Sequence, residues 1–146
     1  MTTVADVLKK KGSTVVSILP SETIEYAAKL LNDKRIGAAM VRDRRNKLIG
    51  ILSERDIVRT VAMKGQSALD MKVEELMTKE VRTCKPADSI KDIMQMMTMR
   101  RHRHAPVCDD KGELIGIVSI GDIVKARLDE QAQEVAVLRD LTLVKG

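Results

Sequence analysis

Residues 48–59 read LIGILSERDIVR, and residues 114–125 read LIGIVSIGDIVK. An apolar run of strand character meets a Ser, and an Asp follows three positions later, at the head of a helical pattern. The copy keeps the LIGI tetrad, the Ser and the Asp-Ile-Val, and changes Glu54-Arg55 to Ile120-Gly121. The match extends upstream. Residues 15–60 align with 81–126 without a gap, pairing Pro20 with Pro86, Ile24 with Ile90, Arg35 with Arg101 and Asp43 with Asp109. With a shift of three residues, the lead-ins match too: Val4, Val7 and Leu8 fall on Val73, Leu76 and Met77. A long period occurring only twice is the mark of a pseudo-twofold pair, not a solenoid.

Each half reads β-α-β-β-α. A short apolar strand (residues 15–18; 81–84) runs into a Pro. Ile24, Ala27, Ala28 and Leu31, then Ile90, Ile93, Met94 and Met97, recur at i, i+3, i+4 and i+7, the spacing of a one-faced helix. Strands over 38–42 and 105–108 lead through polar turns, RRNK and DDKG, to the LIGI return strands. Second helices start near Glu54 and Ile120. Leu128, Ala132, Val135, Leu138 and Leu141 predict that the last helix runs on towards the C-terminus. The expected division is residues 1–67 and 68–128 for the repeats and 129–146 for a helical tail. One repeat buries little surface alone. The two are therefore expected to pack sheet to sheet over one shared core, an α/β (α+β) fold with ligand sites in the cleft between them.

The chain has 146 residues, a net charge of +5, nine Met, one Tyr and no Phe or Trp. The core must be aliphatic. A modest positive charge suits an anionic partner. The aromatic platforms that single-strand nucleic-acid binding uses are missing, and no DNA-binding motif is present. Two Cys make no disulfide framework. MTTVADVLKKKG lacks a signal-peptide core, and no apolar run approaches the roughly 18 residues of a membrane helix. The expected location is the cytoplasm, away from membranes.

Ser53-x-x-Asp56 and Ser119-x-x-Asp122 admit two readings. A Ser N-cap with an acid three residues on resembles the capping box, which stabilises a helix start by itself. The same geometry suits a ligand. Free N–H groups at a helix N-terminus favour a phosphate, the Ser hydroxyl can contact it, and the Asp carboxylate can accept two hydrogen bonds from the vicinal hydroxyls of a ribose. Arg55 stands in the first turn, where the helix dipole opposes a cation. It makes more sense beside an anion, although pairing with Glu54 or plain solvation also accounts for it.

Other clusters carry less. The run from Arg100 to His104 suits a helix C-terminus as well as phosphate contact. His102, His104 and Cys108 fit no common zinc spacing, so no metal is expected. Cys84 and Cys108 read as small core residues, and the Met as core filler. No activated nucleophile, acid–base pair or Walker loop is present, which argues against an enzyme.

The two copies of strand, Pro, helix, A-x-V-x-D strand and G-I-[LV]-S-x-x-D-I-V resemble a tandem CBS-domain pair, or Bateman module, over residues 4–128. The second copy, RRHRHAPVCDDKGELIGIVSIGDIVKAR, is the closer match. The resemblance implies a regulatory, signal-transducing fold that binds AMP, ADP, ATP, S-adenosylmethionine or NAD(H) between its halves, with AMP the first expectation. By the same resemblance, Asp56 and Asp122 correspond to ribose-binding acids, and Ser53 and Ser119 to hydroxyls near phosphate or ribose. Val15 and Val81, with Thr78, correspond to the segment lining the adenine. Arg55, Arg103 and His104 would face phosphate. The counterparts of Arg103 and His104 are Gly37 and Ala38, so the two sites should differ. The implied assembly is a homodimer, with a downstream protein that the sequence does not name. The alternative is a basic interaction or nucleic-acid-binding protein whose Ser-x-x-Asp pairs only cap helices.

Overall fold

The computed structural model describes residues 1–145. Gly146, the end of the expected tail, lies outside the described residues. Helix α1 spans Val4–Lys11. It is followed by β1 (Ser17–Ile18), α2 (Ile24–Lys34), β2 (Ala38–Arg42), β3 (Leu48–Ser53) and α3 (Glu54–Lys64). A 3-10 turn at Gly65–Asp70 leads to α4 (Val73–Leu76), α5 (Ile90–Arg100), β4 (His104–Cys108), β5 (Leu114–Ser119) and α6 (Ile120–Lys145). The long last helix, the hairpins and both repeats of β-β-α lie where the patterns predict them.

The chain divides into two compact units. One is Val15–Val81; the other joins Met1–Thr14 to the described residues from Arg82 onward. The lead-in helices are thus exchanged. Helix α1 belongs with the later half, and α4, at the boundary of the sequence repeats, belongs with the earlier one.

In the Val15–Val81 unit the sheet order is β1-β2-β3, with β1 parallel to β2 and β2 antiparallel to β3. Buried Ile18, Ile24, Ala27, Leu31, Ala39, Val41, Leu52, Ile57 and Val73 form its core. Among the described residues the other unit has the β4–β5 hairpin alone as its sheet. Val4, Val7, Ile90, Ile93, Met97, Ala105, Val107, Val118 and Ile123 pack with Cys84 into a second core. Each unit thus has a buried cluster of its own, and Ala38, Met40, Ile51 and Ala68 are buried outside either cluster. Each hairpin is covered within its own unit, by Val73 of α4 in one and Val4 and Val7 of α1 in the other.

The predicted first strands are shorter than their apolar runs. Only Ser17 and Ile18 pair with Met40 and Val41. Residues 81–84 form no strand, and Cys84 makes a single parallel bridge to Val107. A turn follows immediately downstream. The Lys85 N–H turns to the Asp88 carboxylate at 2.8 Å, and the Lys85 carbonyl accepts from the Asp88 N–H at 3.1 Å. The chain therefore turns away directly after the Cys84 bridge.

Local chemistry explains the common frame. Thr23 and Ser89 cap α2 and α5, each accepting from an N–H three residues on, at 3.1 Å. Both helices end on an arginine in the left-handed region, Arg35 (φ 54°) and Arg101 (φ 57°). The hairpin turns use one device twice. Asp43 Oδ1 accepts from the N–H groups of Arg45 and Lys47, and Asp109 Oδ1 from those of Lys111 and Glu113, all at 2.9 Å. Such Asx turns close a loop with a side chain in place of a backbone carbonyl.

Candidate functional site

Each hairpin delivers its Ser to the start of a helix. In the Val15–Val81 unit the Ser53 N–H donates to Asp56 Oδ2 at 2.9 Å, and the Asp56 N–H donates to Ser53 Oγ at 3.2 Å. The Ser53 hydroxyl also donates to Asp56 Oδ2, at 3.0 Å. In the other unit the Ser119 N–H donates to Asp122 Oδ2 at 2.8 Å, and the Asp122 N–H to Ser119 Oγ at 3.1 Å. Both pairs are reciprocal caps, so the capping reading holds for each. All four residues remain half-buried, not sealed.

A second contact is also duplicated. The Glu54 N–H donates to the Gly37 carbonyl at 2.9 Å, and the Ile120 N–H to the Arg103 carbonyl at 2.8 Å. The first and third N–H groups of each helix are therefore engaged. The second belongs to Arg55 in one half and Gly121 in the other. The two letters that differ between the copies thus sit on the turn where a helix presents N–H groups to an anion. Arg55 carries an exposed cationic side chain there. Gly121 leaves its place open, since an added Cβ would meet only Ser119 Oγ, at 3.7 Å.

The remaining sequence candidates fall around these starts. His104 pairs in register with Ser119, as Ala38 does with Ser53. Arg103, exposed beside His104, supplies the carbonyl that receives the first N–H of α6. Thr78 exchanges both backbone hydrogen bonds with Ile51, at 2.8 and 3.0 Å, which places it along β3. Val15 and Val81 are half-buried in irregular chain at the two ends of their unit.

Sequence reasoning missed Lys11. As the last residue of α1, it brings its ammonium Nζ to 2.5 Å from Asp122 Oδ2 and 3.0 Å from the Ile117 carbonyl. Burial pushes the Asp122 carboxyl up, but the Lys11 ammonium and the hydrogen bonds from Ser119 outweigh it and hold the group below the usual Asp value. A groove of about 240 Å³ opens between α1 and α6, lined in part by Asp6, Lys10, Lys11, Asp122 and Lys125. Also unforeseen is Glu130, which accepts from the Thr2 N–H at 2.6 Å and pairs with Arg127, fastening the N-terminus to α6. Both contacts join positions more than a hundred residues apart, and no local pattern announces them. Among the described residues no group of three or more His, Cys, Asp or Glu side chains is placed to hold a metal. No helix among them is long and apolar enough to cross a membrane.

The family model for the CBS domain matches the chain twice, over residues 2–63 and 73–129. The chain is a tandem CBS-domain pair. A CBS domain-containing protein of Arabidopsis thaliana, CBSX3, named as mitochondrial, is 37% identical over 141 residues, covering 91% of this chain and 68% of its own length. The crystal structure of the CBS-domain containing protein ATU1752 from Agrobacterium tumefaciens superposes with a TM-score of 0.82 at 42% identity, covering 86% of this chain and 92% of that one. Two more distant CBS structures are described with ligands. CBSX2 in complex with AMP has 28% identity and a TM-score of 0.68, covering 90% and 99% of the two chains. The CBS pair of MJ0100, with 5'-methylthioadenosine and S-adenosyl-L-methionine, has 26% identity and a TM-score of 0.78, covering 89% and 98%.

Proposed function

We propose that this CBS pair is a non-catalytic regulatory module that binds an adenosine-containing ligand at its two Ser-x-x-Asp helix starts. The linear repeats 1–67 and 68–128, followed by the tail from 129, each supply one start. The observation that carries the reading is the duplicated junction itself. A half-buried carboxylate, a hydroxyl and a second-position N–H are assembled twice, the chemistry that a ribose diol and a phosphate require. Relatives of the same fold are described with AMP and with S-adenosyl-L-methionine and 5'-methylthioadenosine, which supports an adenosine ligand. AMP is the first choice; ADP, ATP and NAD(H) share the recognised part. Ser53, Arg55, Asp56, Thr78, Arg103, His104, Ser119 and Asp122 are the proposed polar contacts, and Val15 and Val81 the proposed apolar ones. Ligand binding would favour one of two conformations that a partner protein reads.

The test is thermal unfolding with AMP, ADP, ATP, NAD, NADH and S-adenosylmethionine. A ligand that binds only the folded chain adds about 2.7 kcal/mol at a hundredfold excess over its Kd. Asp56→Ala and Asp122→Ala should each remove one site's response. No shift with any compound at millimolar concentration would leave the Ser-x-x-Asp pairs as helix caps alone.

We further propose a homodimer that uses α6, on which Leu128, Val135, Leu138 and Leu141 are exposed along the helix. Light scattering at micromolar concentration should give twice the chain mass; a monomer overturns this assembly and leaves the ligand reading intact.

A further inference from the structure

The two halves treat the same carboxylate differently. In one, the Ile51 carbonyl accepts from the Thr78 backbone N–H, and Asp56 Oδ2 accepts from Ser53. In the other, the Lys11 ammonium takes the Ile117 carbonyl and Asp122 Oδ2 together. A movable charge stands where its counterpart is a fixed amide. Among the described residues Asp56 forms no ion pair.

The Lys11 and Asp122 side chains are 35% and 27% exposed. An ion pair this open to water is weak enough to exchange. Its cation also has room to leave, because Lys11 lines the groove between α1 and α6. Lys11 ends α1, Gly12 follows at φ 96°, and a Cβ added there would meet nothing within 4 Å.

We propose that Lys11 is a specificity-determining residue of the Asp122 half-site, an internal cation that holds the carboxylate until ligand hydroxyls replace it. The proposal rests on the adenosine-ligand reading above. A ribose diol offers Asp122 two O–H donors but no charge. An uncharged nucleoside must therefore break the ion pair and bring no anion for the ammonium. A ligand bearing a phosphate brings an anion for the displaced cation, which remains on the groove that Lys10 and Lys125 line together with Asp6, Asp129 and Glu130. The Asp122 half therefore discriminates in favour of anionic adenosine ligands by a route the Asp56 half lacks.

Calorimetric titration of adenosine and AMP into the wild type, Lys11→Gln, Lys11→Arg, Asp56→Ala and Asp122→Ala tests this. The site lost in Asp122→Ala is the one to follow. There, Lys11→Gln should bind adenosine about three- to fivefold more tightly, the range set by a partly exposed ion pair. It should also lose preference for AMP over adenosine, while Lys11→Arg keeps that preference. The site lost in Asp56→Ala should not change. Unaltered adenosine affinity in Lys11→Gln, or an equal change at both sites, overturns the role of Lys11 and leaves the adenosine reading standing. If neither compound binds the wild type or Lys11→Gln, the adenosine reading falls and takes this inference with it.

Discussion

The Val15–Val81 unit and its counterpart share a frame almost residue for residue. Thr23 and Ser89 cap equivalent helices, Arg35 and Arg101 end them, and the antiparallel pairs shift register at the same place, after Val41 and after Val107. They part where segments enter from outside the aligned repeat. One hairpin is flanked by Thr78, an amide held in a backbone bridge; the other by Lys11, a charge on the end of a helix. Duplication preserved the strand-to-helix junction. The lead-in that each unit receives sets the electrostatics of that junction. Because α1 joins the later half, a lysine near the start of the chain becomes a property of a site more than a hundred residues away.

Core truncation is the strongest challenge to this equivalence. Ile24 and Ile90 are both fully buried at matching positions. Replacing either with Ala should lower stability by about 2–5 kcal/mol in urea unfolding, the usual range for a large aliphatic side chain in a core. A loss well under that at one position would mean that its core is the looser of the two.

Gly50 and Gly116 should separate the halves more sharply. A Cβ on Gly50 would stand 2.7 Å from Met77 Sδ and 3.0 Å from the Thr78 carbonyl, a backbone atom. On Gly116 it would meet Leu8 Cδ2 at 2.8 Å, the end of a flexible side chain. Gly50→Ala should therefore cost about 1–3 kcal/mol by overpacking, and Gly116→Ala less. Equal losses in thermal unfolding would show that the lead-in of the later half is as rigid as that of the earlier one.

Smaller effects concern the helix starts. Ser53→Ala and Ser119→Ala should each cost about 1 kcal/mol as lost caps. The Asp122 carboxyl, held below its ordinary value, adds stability that is present above the unfolded value of about 3.9 and is lost as pH falls through the lower folded value. Asp122→Asn should flatten the fall in urea midpoint below about pH 4, and Lys11→Gln should flatten it in part. An unchanged acid limb in both variants would remove the electrostatic distinction between the halves.

The mildest test is chemical. Burial, aided by Asp88 and Cys108, pushes the Cys84 thiol up to about 12. Its counterpart is the core residue Ile18, so Cys84 should resist iodoacetamide at neutral pH until the chain is unfolded. Alkylation in the folded state, read by mass spectrometry, would show that this core opens where the other is closed.

Most of the frame was legible because its signals are local. The i, i+3, i+4, i+7 pattern of Ile24 to Leu31, the Asx turns at Asp43 and Asp109 and the Ser-x-x-Asp caps each act within a few residues. The exchange of lead-ins was not legible. Aligning Val4, Val7 and Leu8 with Val73, Leu76 and Met77 says that they are alike, but not which hairpin each covers. Likewise Lys11 reads as a favourable cation at a helix C-terminus, and only the folded chain brings it to Asp122. The Ser-x-x-Asp pairs admit two readings in the sequence, because a cap and a ribose contact ask for the same atoms.

Cores built without aromatic rings have a practical consequence. With no Trp or Phe, and with its single Tyr exposed on α2, the chain is nearly transparent in the near ultraviolet. An adenine ring retained through purification would dominate the spectrum. The protein thus supplies its own dark background, against which a bound base can be counted by absorbance without a label.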